Sequence, residues 1–300
     1  MICIYHSRDL DGWCSAAIVQ KKFPGTHLIG WDYGKPIPFD KLIPGEPVIM
    51  VDISFDMDSM VKVAKNSGFN LTWIDHHISA INDYNSFMVN YTTLGGEPFM
   101  TAVLENGIAA CEGTWKHFFP NKPIPMAVEL LGMYDTWRRD DIRMWEAEIL
   151  PFQMGMKLGC DSPETFPTTF FSEGLGYDTD YVWDIIEEGR VILNYQTQIN
   201  KTQCGSNAFG LTFKGLRAIC LNGGGFNSDV FKSVYDEDKH DIMMPFQFNG
   251  NYWVVSLYTT KEDIDCSKLA KEMGGGGHRK AAGFQIDNIY KLLNQEDFYE

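Results

Sequence analysis

Three short apolar runs in the first eighty residues each end in acid or imidazole, and this regularity limits the folds open to the chain. Ile2–Tyr5 leads into His6, Asp9 and Asp11. Val48–Val51 leads into Asp52, and Leu71–Ile74 leads into Asp75, His76 and His77. Short continuous apolar runs bounded by polar residues read as fully buried strands. Between them, Gly12–Lys22 and Met57–Lys65 have helical character, with Trp13, Ala16 and Ala17 on one face of the first. Strand–helix alternation predicts a parallel sheet covered by helices, and Phe87–Val89 is expected to add a fourth strand. In open parallel sheets, ligands bind beyond the carboxyl ends of the strands. With the three strands as neighbours, four aspartates and up to three histidines converge on one crevice.

Such a cluster cannot ionise fully at neutral pH without a counter-charge, because like charges at close range raise carboxylate pKa values. Divalent cations resolve the conflict, since Asp and neutral His are their normal ligands. Two ions about 3.5–4 Å apart can share a hydroxide, aim it at phosphorus and hold the phosphoryl oxygens. A carboxylate and imidazole set without thiolate favours manganese, with magnesium, iron or zinc as alternatives. Plainer readings exist for each part. Asp11 suits the N-cap of the helix over Gly12–Lys22, Asp52-Ile53-Ser54 suits a turn, and an isolated His pair is usually surface or core. The coincidence of all three strand ends outweighs them.

From Phe99 to about Leu158 the chain reads as mostly helical, with Met126–Met133 a good helix after Pro123 and Pro125. Residues 159–180 read as a long loop, and Tyr181–Lys201 as one long connecting helix with Val182, Ile185, Ile186 and Leu193 near one face. Beyond Cys204, Phe209–Phe213, Leu216–Leu221, Ile242–Phe248 and Tyr252–Tyr258 are strand-like, Asn249-Gly250-Asn251 signals a hairpin, and Ser267–Met273 is a short helix. The expected organisation is a catalytic domain over 1–190, a helical linker over 191–204 and a second domain over 205–300. The fold class is α/β: an N-terminal parallel-sheet domain plus a smaller α/β C-terminal domain, with the active site in the cleft between them.

Composition restricts partners. The 300 residues carry 40 acids against 25 bases, a net charge of −15, and this surface repels a long phosphate backbone. Long duplex DNA is therefore not expected as a partner. The seven cysteines are odd in number and form no C-x-x-C pair, which fits a reduced, cytoplasmic protein. No run is long enough for a signal peptide or a membrane span, so no membrane partner is expected.

Asp75-His76-His77 after an apolar strand, with Asp9-Leu10-Asp11-Gly12 near the N-terminus, resembles the DHH phosphoesterases. Gly274-Gly275-Gly276-Gly277-His278, continued by Ala281-Ala282-Gly283-Phe284, resembles the glycine-rich signature of the DHH-associated C-terminal domain. The two signatures stand in family order about 200 residues apart. The subgroup most resembled holds the nanoRNases and oligoribonuclease-like members, with relatives that cleave cyclic-dinucleotide products or 3′-phosphoadenosine 5′-phosphate, and others labelled exopolyphosphatase-related. The resemblance implies that His6 and Asp9 bind one metal ion and Asp11 the other, that Asp52 bridges both, and that His76 and Asp135 complete the set. It implies that Asp75 orients the site and that His77 faces the substrate or leaving group. Two departures stand out. His6 precedes Asp9 by three residues where the commonest family pattern has four, and Tyr258 stands where many members carry Arg.

The glycine run cannot be a stable helix, since each Gly costs about 1 kcal/mol relative to Ala. It allows a backbone anion nest at Gly275, Gly276 and Gly277, with His278 and Arg279 adding a donor and charge for a phosphate. Trp137, Tyr258 or Phe284 are candidates to stack on a base. The expected function is hydrolysis of phosphodiester bonds in short oligonucleotides or small nucleotides. A phosphatase on nucleotide bisphosphate or polyphosphate, and a nucleotide sensor without turnover, are the alternatives. A homodimer is compatible with the sequence.

Overall fold

The computed structural model describes residues 1–171, 177–293 and 298–299. The chain divides into two units, Met1–Leu193 and Asn194–Glu300. In the first, five strands form a parallel sheet: β1 Ile2–His6, β2 His27–Trp31, β3 Val48–Val51, β4 Leu71–Asp75 and β5 Thr101–Leu104, in the order β2-β1-β3-β4-β5. The three runs that end in acid or imidazole are therefore adjacent. Tyr5 pairs with Val51, and Val51 with Ile74, so the C-terminal ends of β1, β3 and β4 lie level. His6, Asp52 and Asp75 emerge side by side for that reason.

The central strands β1, β3 and β4 are buried on both faces, as parallel sheets require. Ile2, Ile4, Val48, Met50 and Trp73 share one core with Met60 and Val63. Cys3, Tyr5, Ile49, Val51 and Ile74 face the other way, against Ala16 and Val19. The helices of this unit are α1 Leu10–Lys22, α2 Met57–Asn66, α3 Ile78–Thr93, α4 Ala110–Phe118 and α5 Met126–Asp135. Then α6 Ile142–Met144 runs through a π turn, Trp145–Ile149, into α7 Leu150–Gly159. Phe87–Val89 is not a strand; it lies inside α3. Tyr84, Phe87, Met88 and Tyr91 fall at i, i+3, i+4 and i+7 and pack on the sheet core, so helical periodicity overrides their β propensity. The remaining strands of the sheet are β2 and β5.

Within the loop expected over 159–180, Thr168–Phe171 forms a 3₁₀ turn whose Phe170 and Phe171 are buried. α8 spans Tyr177–Asn207, longer at both ends than expected, and contains both residues 191–204 and the boundary between the units.

The second unit holds a seven-stranded mixed sheet in the order β10-β11-β9-β8-β7-β6-β12. Its strands are β6 Phe209–Phe213, β7 Leu216–Asn222, β8 Ile242–Phe248, β9 Trp253–Tyr258, β10 Gly276–Gly277, β11 Ala281–Ile286 and β12 Phe298–Tyr299. Helix α9, Cys266–Glu272, joins its core through Cys266 and Ala270. β8 and β9 are linked through Gly250, whose φ of +99° explains the glycine in that turn. The seven cysteines are all buried and unpaired. Among the described residues, no helix is long and apolar enough to cross a membrane.

One ion-pair network in this unit has a predictable pH signature. Asp241 meets Arg217 at two points, Nε to Oδ2 at 3.1 Å and Nη2 to Oδ1 at 2.9 Å, and Lys261 Nζ lies 2.6 Å from Oδ1. The Arg217 guanidinium holds the Asp241 carboxyl well below the usual range. A depressed native pKa contributes stability above the unfolded value, near 3.9, and that contribution is lost as pH falls through the native value. Asp241→Asn is expected to cost roughly 1 kcal/mol at neutral pH, after allowance for screening. Urea denaturation at about pH 7 and about pH 3 should show the difference shrinking at the lower pH; a constant difference would contradict the pairing.

Candidate metal centre

Each turn after a strand presents its side chains for a local reason. Asp9 caps α1, its Oδ1 accepting the Gly12 N–H at 3.0 Å, so it and not Asp11 is the N-cap. A Cβ on Gly12 would lie 2.0 Å from the His6 carbonyl oxygen, so only glycine lets α1 begin this close to β1. Asp11, 3% exposed, turns into the protein instead. Its Oδ2 accepts the Ala110 N–H at 2.9 Å and its Oδ1 the Cys111 N–H at 2.7 Å, at the N-terminus of α4, where a carboxylate is favoured. Glu112, also buried, accepts the Ala109 N–H and ties Arg138 to this turn at 2.5 Å.

Asp52 is 1% exposed and sits at φ +59°, a conformation that costs a non-glycine residue on the order of 1 kcal/mol or more. From there its Oδ2 reaches 3.4 Å from His6 Nδ1, and its Oδ1 reaches 3.4 Å from His76 Nε2. Asp9 Oδ2 lies 2.9 Å from His6 Nδ1. On the other side, His76 Nε2 is 3.6 Å from Asp11 Oδ2 and 3.3 Å from Asp135 Oδ2, the last residue of α5. Two triads result, His6–Asp9–Asp52 and Asp11–His76–Asp135, each close enough to hold one ion. Asp52 lies between them.

Asp75 plays another part. Its Oδ1 accepts the His76 N–H, the His77 N–H and His77 Nδ1, and its Oδ2 faces Trp73 Nε1 at 3.3 Å. Buried and occupied in this way, it fixes the His77 imidazole and the backbone of the His76-His77 turn, and with Asp52, His76 and His77 it forms a further group close enough to hold an ion. His77 Nδ1 is 2.7 Å from Asp75, which turns its Nε2 outward. Asp141 is the N-cap of α6 and accepts from Arg143 and Met144.

The electrostatics of the cluster point in the same direction. Burial would pull the His6 imidazole down, but Asp52 and Asp9 outweigh it and push its pKa up to about 10. Asp75 pushes His77 up to about 9. Burial, with Asp52 beside it, lifts Asp135 to about 6, and burial with Asp52 and Asp135 holds Asp11 well above the carboxylate range. His6 Nδ1 and Asp52 Oδ1 are fully buried without a hydrogen bond. Buried carboxylate and imidazole atoms crowded within 2.9–3.6 Å, with protons held against their usual affinities, fit a site made for cations.

Sequence reasoning missed Asp32. It follows β2, with Oδ1 3.7 Å from His6 Nε2 and Oδ2 3.4 Å from Arg8 Nε. The strand-then-acid pattern is present in His27-Leu28-Ile29-Gly30-Trp31-Asp32, but Gly30 interrupts the apolar run. A Cβ on Gly30 would lie 2.9 Å from the Tyr5 hydroxyl, so the packing of β2 against β1 requires the interruption.

In the second unit, the glycine run serves backbone approach. A Cβ on Gly275 would lie 2.1 Å from the Gly283 carbonyl oxygen, and one on Gly277 2.5 Å from Ala282 Cα. β10 thus fits against β11, and His278 and Ala281 close the turn, N to O at 2.7 Å. His278 is exposed. The Arg279 guanidinium is engaged by the Glu262 carbonyl, which limits it as a phosphate contact. Tyr258 pairs with Ala281 across β9 and β11.

A parallel sheet with Asp-His-His at its C-terminal edge is followed by a mixed-sheet unit with a Gly-Gly-Gly-Gly-His turn, an arrangement similar to that of the DHH phosphoesterases. The comparisons agree. Residues 219–299 match the DHHA1 domain. The chain is 21% identical to the uncharacterized protein R106 of Acanthamoeba polyphaga mimivirus over 97% of its own length and 69% of that protein. It is 24% identical to the oligoribonuclease NrnB of Bacillus subtilis (strain 168), over 78% of its length and 57% of that protein. Its fold follows a pGpG-specific phosphodiesterase, PggH, of Vibrio cholerae, with a TM-score of 0.55 and 14% identity, over 97% of this chain and 95% of that one. Residues 219–299 are a DHHA1 domain, and the fold of the whole chain is similar to that of the pGpG-specific phosphodiesterase.

Proposed function

We propose that this chain is a metal-dependent phosphodiesterase that hydrolyses short oligonucleotides or small nucleotides. The observation that carries the reading is the pair of ligand triads with Asp52 between them. Two divalent ions held by His6, Asp9, Asp11, Asp52, His76 and Asp135 would supply a water acidic enough to attack phosphorus and charge to offset the phosphoryl oxygens. Manganese is the preferred ion and magnesium the alternative, because the donors are carboxylate and imidazole. A relative named as an oligoribonuclease and a structural neighbour named as a pGpG phosphodiesterase support the substrate class.

The chain's own groups divide the work. Asp75 holds His77 Nδ1, so that Nε2 is the atom offered to a substrate oxygen or leaving group, where a proton can be given. His278 and the Gly275–Gly277 backbone are the proposed contacts for the terminal phosphate, with Arg279 held near them by Glu262. The compartment we propose is the cytoplasm, in keeping with seven unpaired cysteines. Chromatography of a 5′-phosphorylated dinucleotide after incubation tests the reading. Mononucleotide release that stops on chelation is expected. Release of inorganic phosphate alone would assign a phosphomonoesterase instead.

Metal affinity should also depend on pH. His6 holds a proton up to about pH 10 in the metal-free protein, so an ion bound near neutrality must displace it. The apparent affinity is then expected to rise with pH, by up to about tenfold per unit for each proton displaced. Calorimetric titration with manganese at about pH 6 and about pH 8 measures this; a flat profile would remove His6 from the ligand set.

A further inference from the structure

Helix α5 ends two residues before Trp137, and that ending is unusual. Trp137 N–H bonds the Tyr134 carbonyl at 3.1 Å and Arg138 N–H bonds the Met133 carbonyl at 2.9 Å. These are the two hydrogen bonds of a Schellman cap, with Trp137 in the left-handed position at φ +55°. Glycine normally occupies this position, and a bulky side chain there is strained. The indole is also 61% exposed, although it contacts the Trp145 ring at 4.9 Å and the Arg139 guanidinium at 5.1 Å. A strained backbone and an exposed aromatic are both unfavourable for the chain alone. Together, beside Asp135, they indicate a ligand.

The surroundings narrow the ligand's chemistry. A cavity of about 410 Å³ is lined by Asp9, Asp11 and Asp135 at the metal centre and by Tyr134, Arg8 and Lys157 elsewhere; Trp137 stands outside this lining, in ring contact with Tyr134 at its edge. That volume suits one small organic group. The Trp137 ring lies 6.3 Å from the Tyr134 ring, and Tyr134 stacks on buried Trp145 with an interplanar angle of 10°. Trp145 anchors this cluster at 3% exposure, so the platform is held from beneath. Arg139 lies over both indoles, 5.0 Å from Trp145, and brings positive charge to the surface.

We infer that Trp137, backed by Trp145 and Arg139, is the platform on which a nucleobase of the substrate stacks. This rests on the phosphodiesterase reading and deepens it, making Trp137 a specificity determinant for nucleotides over base-free phosphodiesters. Aromatic stacking tolerates any base, so the platform selects for the presence of a base and not its identity. Trp137 is a binding group and takes no part in proton transfer.

The test compares wild type, Trp137→Gly and Trp137→Phe on a 5′-phosphorylated dinucleotide and on its abasic analogue. Loss of one stacked base is expected to lower kcat/KM on the dinucleotide about tenfold or more in Trp137→Gly, mainly through KM. The abasic analogue should be cleaved by both variants at the wild-type rate, and Trp137→Phe should fall between. Because glycine fits the cap, the Tm of Trp137→Gly should stay within about 2 °C of wild type or rise. Equal loss on both substrates, or no loss on either, overturns the inference. If the wild type cleaves neither substrate, the enzymatic reading fails by itself. Mononucleotide quenching of fluorescence, taken as wild type minus Trp137→Phe, then decides the platform: quenching supports it and none overturns it.

Discussion

Asp52→Asn is expected to lower turnover at least about a thousandfold while leaving the fold intact, because several kcal/mol of charge stabilisation depend on this one carboxylate. Asparagine keeps the shape and tolerates the left-handed conformation at φ +59° that Asp52 adopts. What it removes is the charge that lies within 3.4 Å of both His6 Nδ1 and His76 Nε2. Bound metal should fall from two ions per chain towards one or none. The metal-free variant should differ little in stability from wild type, since relief of Asp11 and Asp135 from the Asp52 charge offsets the loss of its pairing with His6 and His76. Circular dichroism, thermal melts and metal analysis separate these effects. A variant with wild-type rate and stoichiometry would show that the two triads do not act through Asp52.

The second large effect concerns substrate length. Activity is expected to fall steeply as an oligonucleotide grows beyond a few residues. A long strand is gripped by many Lys or Arg contacts to phosphate, each adding to the salt dependence. This chain has 25 basic residues against 40 acids. Several of the bases are committed elsewhere: Arg138 to Glu112, Arg217 and Lys261 to Asp241, and Arg279 and Lys280 to the carbonyls around Glu262. Binding energy should therefore saturate after the first nucleotides, and the acidic surface opposes further strand. The comparison is kcat/KM on a dinucleotide against a strand of about twenty nucleotides at two salt concentrations. Better cleavage of the longer strand, with a steep salt slope, would reveal a basic groove.

The sheet and the gathering of Asp and His at its edge were legible because both rest on local rules. Runs of buried apolar residues ending in Asp or His mark strand ends, and β1, β3 and β4 follow them closely. What was not legible depended on packing between distant residues. Nothing near Asp11 announces that it caps α4, a hundred residues further on in the Cys111 contact. The left-handed turn at Asp52 has no glycine to signal it. Asp32 and β2 were hidden by Gly30, whose absent side chain is a demand of Tyr5. In α3, aromatic β propensity concealed a helical repeat that was present in Tyr84, Phe87, Met88 and Tyr91. The glycine run by itself suggests freedom to bind an anion. The close fit of Gly275 and Gly277 against β11 is a separate cause, and it would require glycine there without any ligand.

The central claim is that the two triads together make the catalytic centre. It is tested most directly by adding manganese back stepwise to chelated protein while following mononucleotide release from a 5′-phosphorylated dinucleotide. The account predicts no release without metal and a rate that saturates at two ions per chain. Full activity in the chelated protein, or none with both ions bound, would contradict it.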